Sequence, residues 1–200
     1  MKIIGTGFLA RGLKKIKLLK KSSYYIFYAA GVSNSNSKIN KDYIKDKALL
    51  KKNIINLDSK KILIYFSSLS IINNNLKKDK YVKNKIFIEK FIKRNVKRYL
   101  IIRLPQIIGK SSNPHTLTNF LYNKIKSREK FIIWSKASRY LIDIDDVILI
   151  LQKILSRNYK LNSTINIANL KADSLLDIVK NFEQILSVKA FFKETESENK

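Results

Sequence analysis

Apolar residues in this chain form two alternating kinds of run: short continuous ones, and longer ones spaced at three and four residues. This is the pattern of strand–helix units feeding a largely parallel sheet. Residues 2–5, 24–30, 62–66 and 99–104 read as buried strands. Between them, Leu9, Leu13 and Ile16 share a stripe on a first helix running to Lys21, and residues 43–57 and 81–94 predict two more helices. Three parallel crossovers follow. Beyond Arg103-Leu104-Pro105 the pattern predicts a polar loop, a helix over 117–126, a strand at 131–134 and a strand-to-helix unit from Tyr140. Asp145 is placed to N-cap that unit ahead of the apolar run 147–155. Residues 163–168 make a last strand, and Asp173 or Ser174 caps a final helix with the stripe Leu175, Val179, Phe182 and Leu186. Asn-, Ser- and Lys-rich stretches at 33–40, 73–80 and 110–113 read as loops at the sheet edge, where open α/β folds hold their ligands.

Composition narrows the picture. A chain of 200 residues with 45% hydrophobic content is long enough to build one core, so a single domain is expected over 1–192, followed by a frayed polar tail at 193–200. Cysteine is absent, which removes disulfides, thiolate metal sites and a cysteine nucleophile. No metal site is expected. No apolar run approaches the ~20 residues that span a bilayer, and the start has no signal-peptide pattern, so the chain reads as soluble and cytoplasmic. The net charge of +26 favours acidic partners. Because the lysines spread along the whole chain with no nucleic-acid-binding module, nucleic acid is set aside as the main partner.

Three constellations carry candidate chemistry. Gly5-Thr6-Gly7-Phe8-Leu9-Ala10 joins the first strand to the first helix, where close backbone approach suits a pyrophosphate; as a motif it is shortened and imperfect. Tyr81 and Lys85 stand four residues apart, on one helix face, and an ammonium beside a phenol favours the phenolate, which suits a general base. Phe66-Ser67-Ser68-Leu69-Ser70 ends a buried strand and brings hydroxyls to the ligand edge.

Taken in order, the glycine turn, Ala29-Ala30-Gly31, the serines, Tyr81/Lys85, Arg103-Leu104-Pro105-Gln106-Ile107-Ile108-Gly109 and Arg139-Tyr140-Leu141-Ile142-Asp143-Ile144-Asp145-Asp146 resemble the NAD-dependent epimerase/dehydratase family of extended short-chain dehydrogenases. The resemblance implies a Rossmann-like three-layer α/β fold with a mainly parallel sheet. It also implies NAD or NADP as cofactor and a nucleotide sugar as substrate. In this reading Gly5, Gly7 and Ala10 face the pyrophosphate, with Phe8 and Leu9 beside them, and Ala29, Ala30 and Gly31 line the adenosine and ribose side. Ser68 is the match to the catalytic hydroxyl, with Ser67 and Ser70 as alternatives. Tyr81 exchanges a proton with the sugar, Lys85 binds the nicotinamide ribose, and Pro105 sits at the nicotinamide end. Arg139 matches an arginine that grips the substrate diphosphate, the alternative being a surface ion pair with Asp143 or Asp145. His115, the one histidine, is a candidate second acid in the substrate site.

The chain also departs from that family. The second and third βα units are missing, which leaves the first strand as a sheet edge open to pairing with another chain, as in a homodimer. No acid lies between the glycine turn and Asp42 to hold the adenosine ribose. Leu69 and Ser70 stand where dehydratases of the family carry acids, which favours an epimerase or keto-reductase, with a role in surface polysaccharide synthesis. The rival from another class is a catalytically silent Rossmann-like binding or assembly subunit.

Overall fold

A computed structural model describes residues 1–16, 23–32, 37, 39–73, 78–111, 113, 116–157 and 159–196. In chain order the elements are β1 (Lys2–Ile4), α1 (Phe8–Leu13), β2 (Tyr25–Tyr28), α2 (Asn40–Ile54), β3 (Ile62–Ser68), a 3-10 turn (Leu69–Ile72), α3 (Lys80–Asn95), β4 (Tyr99–Leu104) and β5 (Gln106–Ile108). There follow α4 (Leu117–Lys126), β6 (Phe131–Trp134), β7 (Ser138–Arg139), β8 (Leu141–Asp143), α5 (Ile144–Ser156), β9 (Ser163–Asn166), β10 (Asp173–Ser174), α6 (Leu175–Leu186) and β11 (Phe192–Thr195). By packing these divide into a first unit, Met1–Ile107 with Asp143–Ile167, and a second, Ile108–Ile142 with Ala168–Lys200.

The first unit is built on a five-stranded sheet in the order β1-β2-β3-β4-β9, with every neighbouring pair parallel. The fold is Rossmann-like, and β1 is an edge, as the missing βα units require. Side chains alternate across a strand, so each apolar strand feeds two cores. Ile26 and Tyr28, Leu63 and Tyr65, and Tyr99 and Ile101 point to one face and pack with Leu50, Ile54, Ile88 and Ile92 of α2 and α3. The alternate residues Phe27, Ile64 and Ile102 point the other way and are fully buried too. Helices α1 and α5 pack together through Gly12, where a Cβ would come within 2.7 Å of the Ile144 side chain.

In the second unit, β6 pairs with β11 in parallel and β7 with β10 antiparallel. Leu121 and Ile125 of α4, Phe131 and Ile133 of β6, and Leu175, Ile178 and Val179 of α6 form its core.

Several element ends differ from the sequence reading. Helix α1 stops at Leu13, although Ile16 is still fully buried, and residues 17–22 of the longer predicted helix lie outside the described residues. Asn40 already opens α2, three residues early. The N-cap of α5 is Asp143, not Asp145: the Asp145 backbone N–H donates to Asp143 Oδ1 at 2.7 Å, because the chain is still extended at Asp143. Of the two candidate caps on α6, Ser174 does the work, its Oγ accepting the Asp177 N–H at 3.0 Å, while Asp173 pairs in β10. Lys193–Thr195, expected in a frayed tail, instead pair with Ile132–Trp134 as part of β11, an extension that a polar, charged segment does not advertise. Among the described residues no helix is long and apolar enough to cross a membrane.

Candidate functional site

The glycine turn leaves β1 at its carboxyl end. Gly5 has φ +124° and a Cβ there would lie 2.4 Å from the Ala29 carbonyl oxygen, so two separate constraints demand glycine. This turn is pinned to the end of β2, whose Ala29 N–H donates to the Ile4 carbonyl at 2.8 Å. Gly7, the N-cap of α1, is different. A Cβ there would meet nothing within 4 Å, so the backbone at this point is open to a close approach. Phe8 and Leu9 are half-buried, and Ala10 is fully buried beneath them. The glycine at 5 is therefore explained by the chain itself, and the one at 7 is free to face a phosphate group.

At the end of β3, alternation separates the two adjacent serines. Ser67 is buried and its Oγ has no hydrogen-bond partner among the described residues. Ser68, half-buried, accepts the Ser70 N–H at 3.2 Å and donates to Ser70 Oγ at 3.1 Å, which turns the chain into the 3-10 segment Leu69–Ile72. That segment packs against α3. Helix α3 is started by Asp79, whose carboxylate accepts the N–H groups of Tyr81 at 2.7 Å and Val82 at 3.1 Å. The cap fixes Tyr81 in the first turn, half-buried, and places Lys85 one turn further on. The three candidate catalytic residues thus come from one strand end and one helix start in the first unit.

Lys85 is 5% exposed. Its Nζ donates to the Tyr65 hydroxyl at 3.2 Å and lies 5.3 Å and 5.6 Å from the ring centroids of Tyr65 and Tyr81. Burial opposes the charge, but Tyr65, Tyr81 and Asp46 outweigh it and hold the ammonium pKa above the ordinary lysine value. Burial, reinforced by Asp46, likewise pushes the phenols of Tyr28 and Tyr65 above the usual tyrosine range, against the pull of Lys85. Both stay neutral at neutral pH, and of the two hydroxyls it is that of Tyr65 that is hydrogen-bonded.

Several contributors escape the sequence reading. Tyr65 reads there as one more apolar strand residue, yet it is the hydrogen-bond partner of Lys85. Asp46 and Asn84 are both buried, with Asn84 Nδ2 donating to Asp46 Oδ2 at 2.8 Å. Glu89, one turn beyond Lys85, accepts Arg103 Nε at 2.8 Å and Nη2 at 2.6 Å, a bidentate pair that ties the end of β4 to α3 immediately before Pro105. At the end of β2, Ala29 and Ala30 are half-buried and Gly31 is exposed at φ +122°, with a Cβ there reaching 3.0 Å from Asp46 Oδ1.

Arg139 stands in β7 of the second unit, opposite Asp173, and donates from Nη1 to the Ser138 carbonyl at 2.9 Å. Asp145 pairs instead with Lys15, at 2.8 Å. His115 lies outside the described residues.

No protein-family model and no curated protein matches the chain. Solved structures do. An RMD protein from Pseudomonas aeruginosa in complex with NADPH superposes with a TM-score of 0.75 at 13% identity, covering 98% of this chain and 88% of its own. A dTDP-4-dehydrorhamnose reductase from Clostridium acetobutylicum gives 0.74 at 14% identity, with 98% and 84% covered. A UDP-glucuronic acid 4-epimerase from Bacillus cereus, solved with UDP-glucuronic acid and NAD, gives 0.69 at 19%, with 90% and 65% covered. The chain has the fold of these proteins. At such identities the likeness speaks for the fold alone.

Proposed function

We propose that the chain is an NAD(P)-dependent epimerase or keto-reductase acting on a nucleotide sugar, with a place in surface polysaccharide synthesis. The observation that carries this is the joint placement of the Ser68 turn, Tyr81 and the buried ammonium of Lys85 around one end of α3, in a sheet whose first turn is open at Gly7. The residues present fit a dinucleotide at the glycine turn and at the Lys85–Pro105 end. Bound there, NAD or NADP would supply the hydride acceptor or donor.

The chain's own residues do the rest. Ser68, freed of structural duty beyond its bond to Ser70, offers its hydroxyl to the reacting sugar oxygen. Tyr81 takes the hydroxyl proton as the carbon it sits on is oxidised, and returns it when the carbonyl is reduced. Lys85 spends one N–H on Tyr65 and has two left, one direction serving the ribose of the cofactor and the charge serving Tyr81. Arg103 and Glu89 keep Pro105 at the end of β4.

The test is Tyr81→Phe, which keeps the ring and removes the proton. Turnover of nucleotide sugars with NAD(P) should fall by about 10²–10⁴-fold with the melting temperature unchanged; equal activity in the variant removes the mechanism.

One observation favours a second reading. The adenosine flank is absent and β1 is a sheet edge, as expected of a silent subunit that kept the fold without the chemistry. Such a subunit would bind no dinucleotide, and Tyr81→Phe would change nothing measurable.

A further inference from the structure

Helices α2 and α3 share one core of the first unit, with Leu50 and Ile54 of one and Ile88 and Ile92 of the other turned into it. What they turn outward is of one charge. Lys41, Lys45 and Lys52 on α2 and Lys83, Lys90 and Arg94 on α3 are all exposed. The acids of the two helices do not offset them: Asp46 and Glu89 are buried, and Asp42, half-buried in the first turn of α2, accepts the Ser37 hydroxyl at 3.2 Å. Among the described residues none of these six cations is in an ion pair. A lysine-rich composition does not by itself produce such a face, since α5 opens on Asp145 and Asp146, and α6 carries Asp177 and Glu183.

The two outer faces make one surface. Lys47 Nζ of α2 lies 4.5 Å from the centre of the Phe87 ring of α3, Lys51 Nζ lies 5.6 Å from that of Phe91, and the two rings are stacked with centroids 6.1 Å apart. Among the cations stand aliphatic side chains without cover, Ile44 at 66% exposed and Ile55 at 77%. Cations around exposed hydrocarbon on a helical surface suit an anionic bilayer, where long basic side chains reach the headgroup phosphates and the hydrocarbon enters the acyl boundary. A second copy of the chain would set cations against cations. Nucleic acid would use the charge and leave Ile44 and Ile55 idle, and rings already under lysine ammonium groups are poor platforms for bases. We propose that the joint outer face of α2 and α3 docks on the anionic lipid headgroups of a membrane surface, with Ile44 and Ile55 entering its boundary. This docking goes beyond the proposed reaction and does not depend on it.

The test is co-sedimentation of the full chain, at moderate salt, with vesicles of phosphatidylcholine alone and of equal parts phosphatidylcholine and phosphatidylserine. Binding to the mixed vesicles only is expected, and its absence overturns the proposal. The exposed triple variant Lys45→Gln/Lys52→Gln/Lys90→Gln should bind about 10²-fold more weakly, each lysine near the headgroups being worth about fivefold. Lys130→Gln/Lys160→Gln/Lys171→Gln, which removes the same charge elsewhere on the chain, should stay within about threefold of the parent. Equal losses in the two triple variants would mean diffuse attraction by net charge, with no docking face. Ile44→Ser/Ile55→Ser should weaken vesicle binding by about tenfold and leave binding of polyuridylate, the nucleic-acid probe, unchanged. Three further outcomes contradict the lipid assignment: vesicle binding unchanged in the isoleucine variant, polyuridylate bound more tightly than the mixed vesicles through the same lysines, or a parent dimer that the isoleucine variant dissociates.

Discussion

The two units bury different things. The first encloses Asp46, Ser67, Asn84, Lys85 and Glu89, all in or beside α2, β3 and α3. The second packs Leu121, Ile125, Phe131, Ile133, Leu175, Ile178 and Val179 into a core of hydrocarbon. Apolar burial stabilises in proportion to area and asks for no partner. Buried charge is costly unless paired, and is retained where it fixes a geometry or tunes a group. The contrast sets buried polar groups around the carboxyl end of β3 and the start of α3 against a second unit held by apolar packing.

If the contrast is right, the largest effect on stability should come from splitting a buried pair in the first unit. Arg103→Met leaves the Glu89 carboxylate, 4% exposed at its side chain, without its guanidinium, and should cost about 3–5 kcal/mol in urea unfolding. Replacing both partners by Met and Leu should recover most of that loss; if the double variant is as unstable as the single one, the pair is not what is being measured. In the second unit Leu121→Ala should cost about 2–5 kcal/mol through the cavity it leaves.

The smallest effect has the opposite sign. Tyr28 is fully buried and its hydroxyl has no hydrogen-bond partner among the described residues, so Tyr28→Phe should raise stability by about 1 kcal/mol. The pH dependence sharpens this. Tyr28, Tyr65 and Lys85 all have folded pKa values above their unfolded ones. Above about pH 10 the unfolded chain therefore releases protons that the folded chain still holds, and stability falls as the pH rises. For Lys85 the contribution is complete below the unfolded value of 10.5 and is lost on passing through the folded one. Tyr28→Phe should flatten that alkaline decline, and a variant with an unchanged alkaline limb would show that Tyr28 takes no part in it.

The central strands β2, β3 and β4 were legible because they are mostly buried and read as nearly unbroken apolar runs. So were Tyr81 and Lys85, since a helix brings residues four apart onto one face wherever it begins. The edge position of β1 followed from the family resemblance, whose second and third βα units have no room between Gly7 and Tyr24. What stayed hidden was of two kinds. Helix ends depend on which of several polar residues caps them, and between Asp143 and Asp145 the choice is made by where β8 stops pairing. The roles of Asp46, Asn84 and Tyr65 depend on contacts between residues 20 to 38 positions apart. In a chain with 41 lysines and arginines, a single buried Lys85 has no local signature. Gly31 was legible as a special position, but the carboxylate that crowds it comes from another element.

Calorimetric titration of the full chain with NAD⁺, NADH, NADP⁺ and NADPH at moderate salt tests the central claim most directly. The account predicts saturable, micromolar binding of one oxidised and reduced pair, weakened when Gly7 is replaced by a bulky residue. Absence of binding by all four would contradict it and leave the fold as that of a silent subunit.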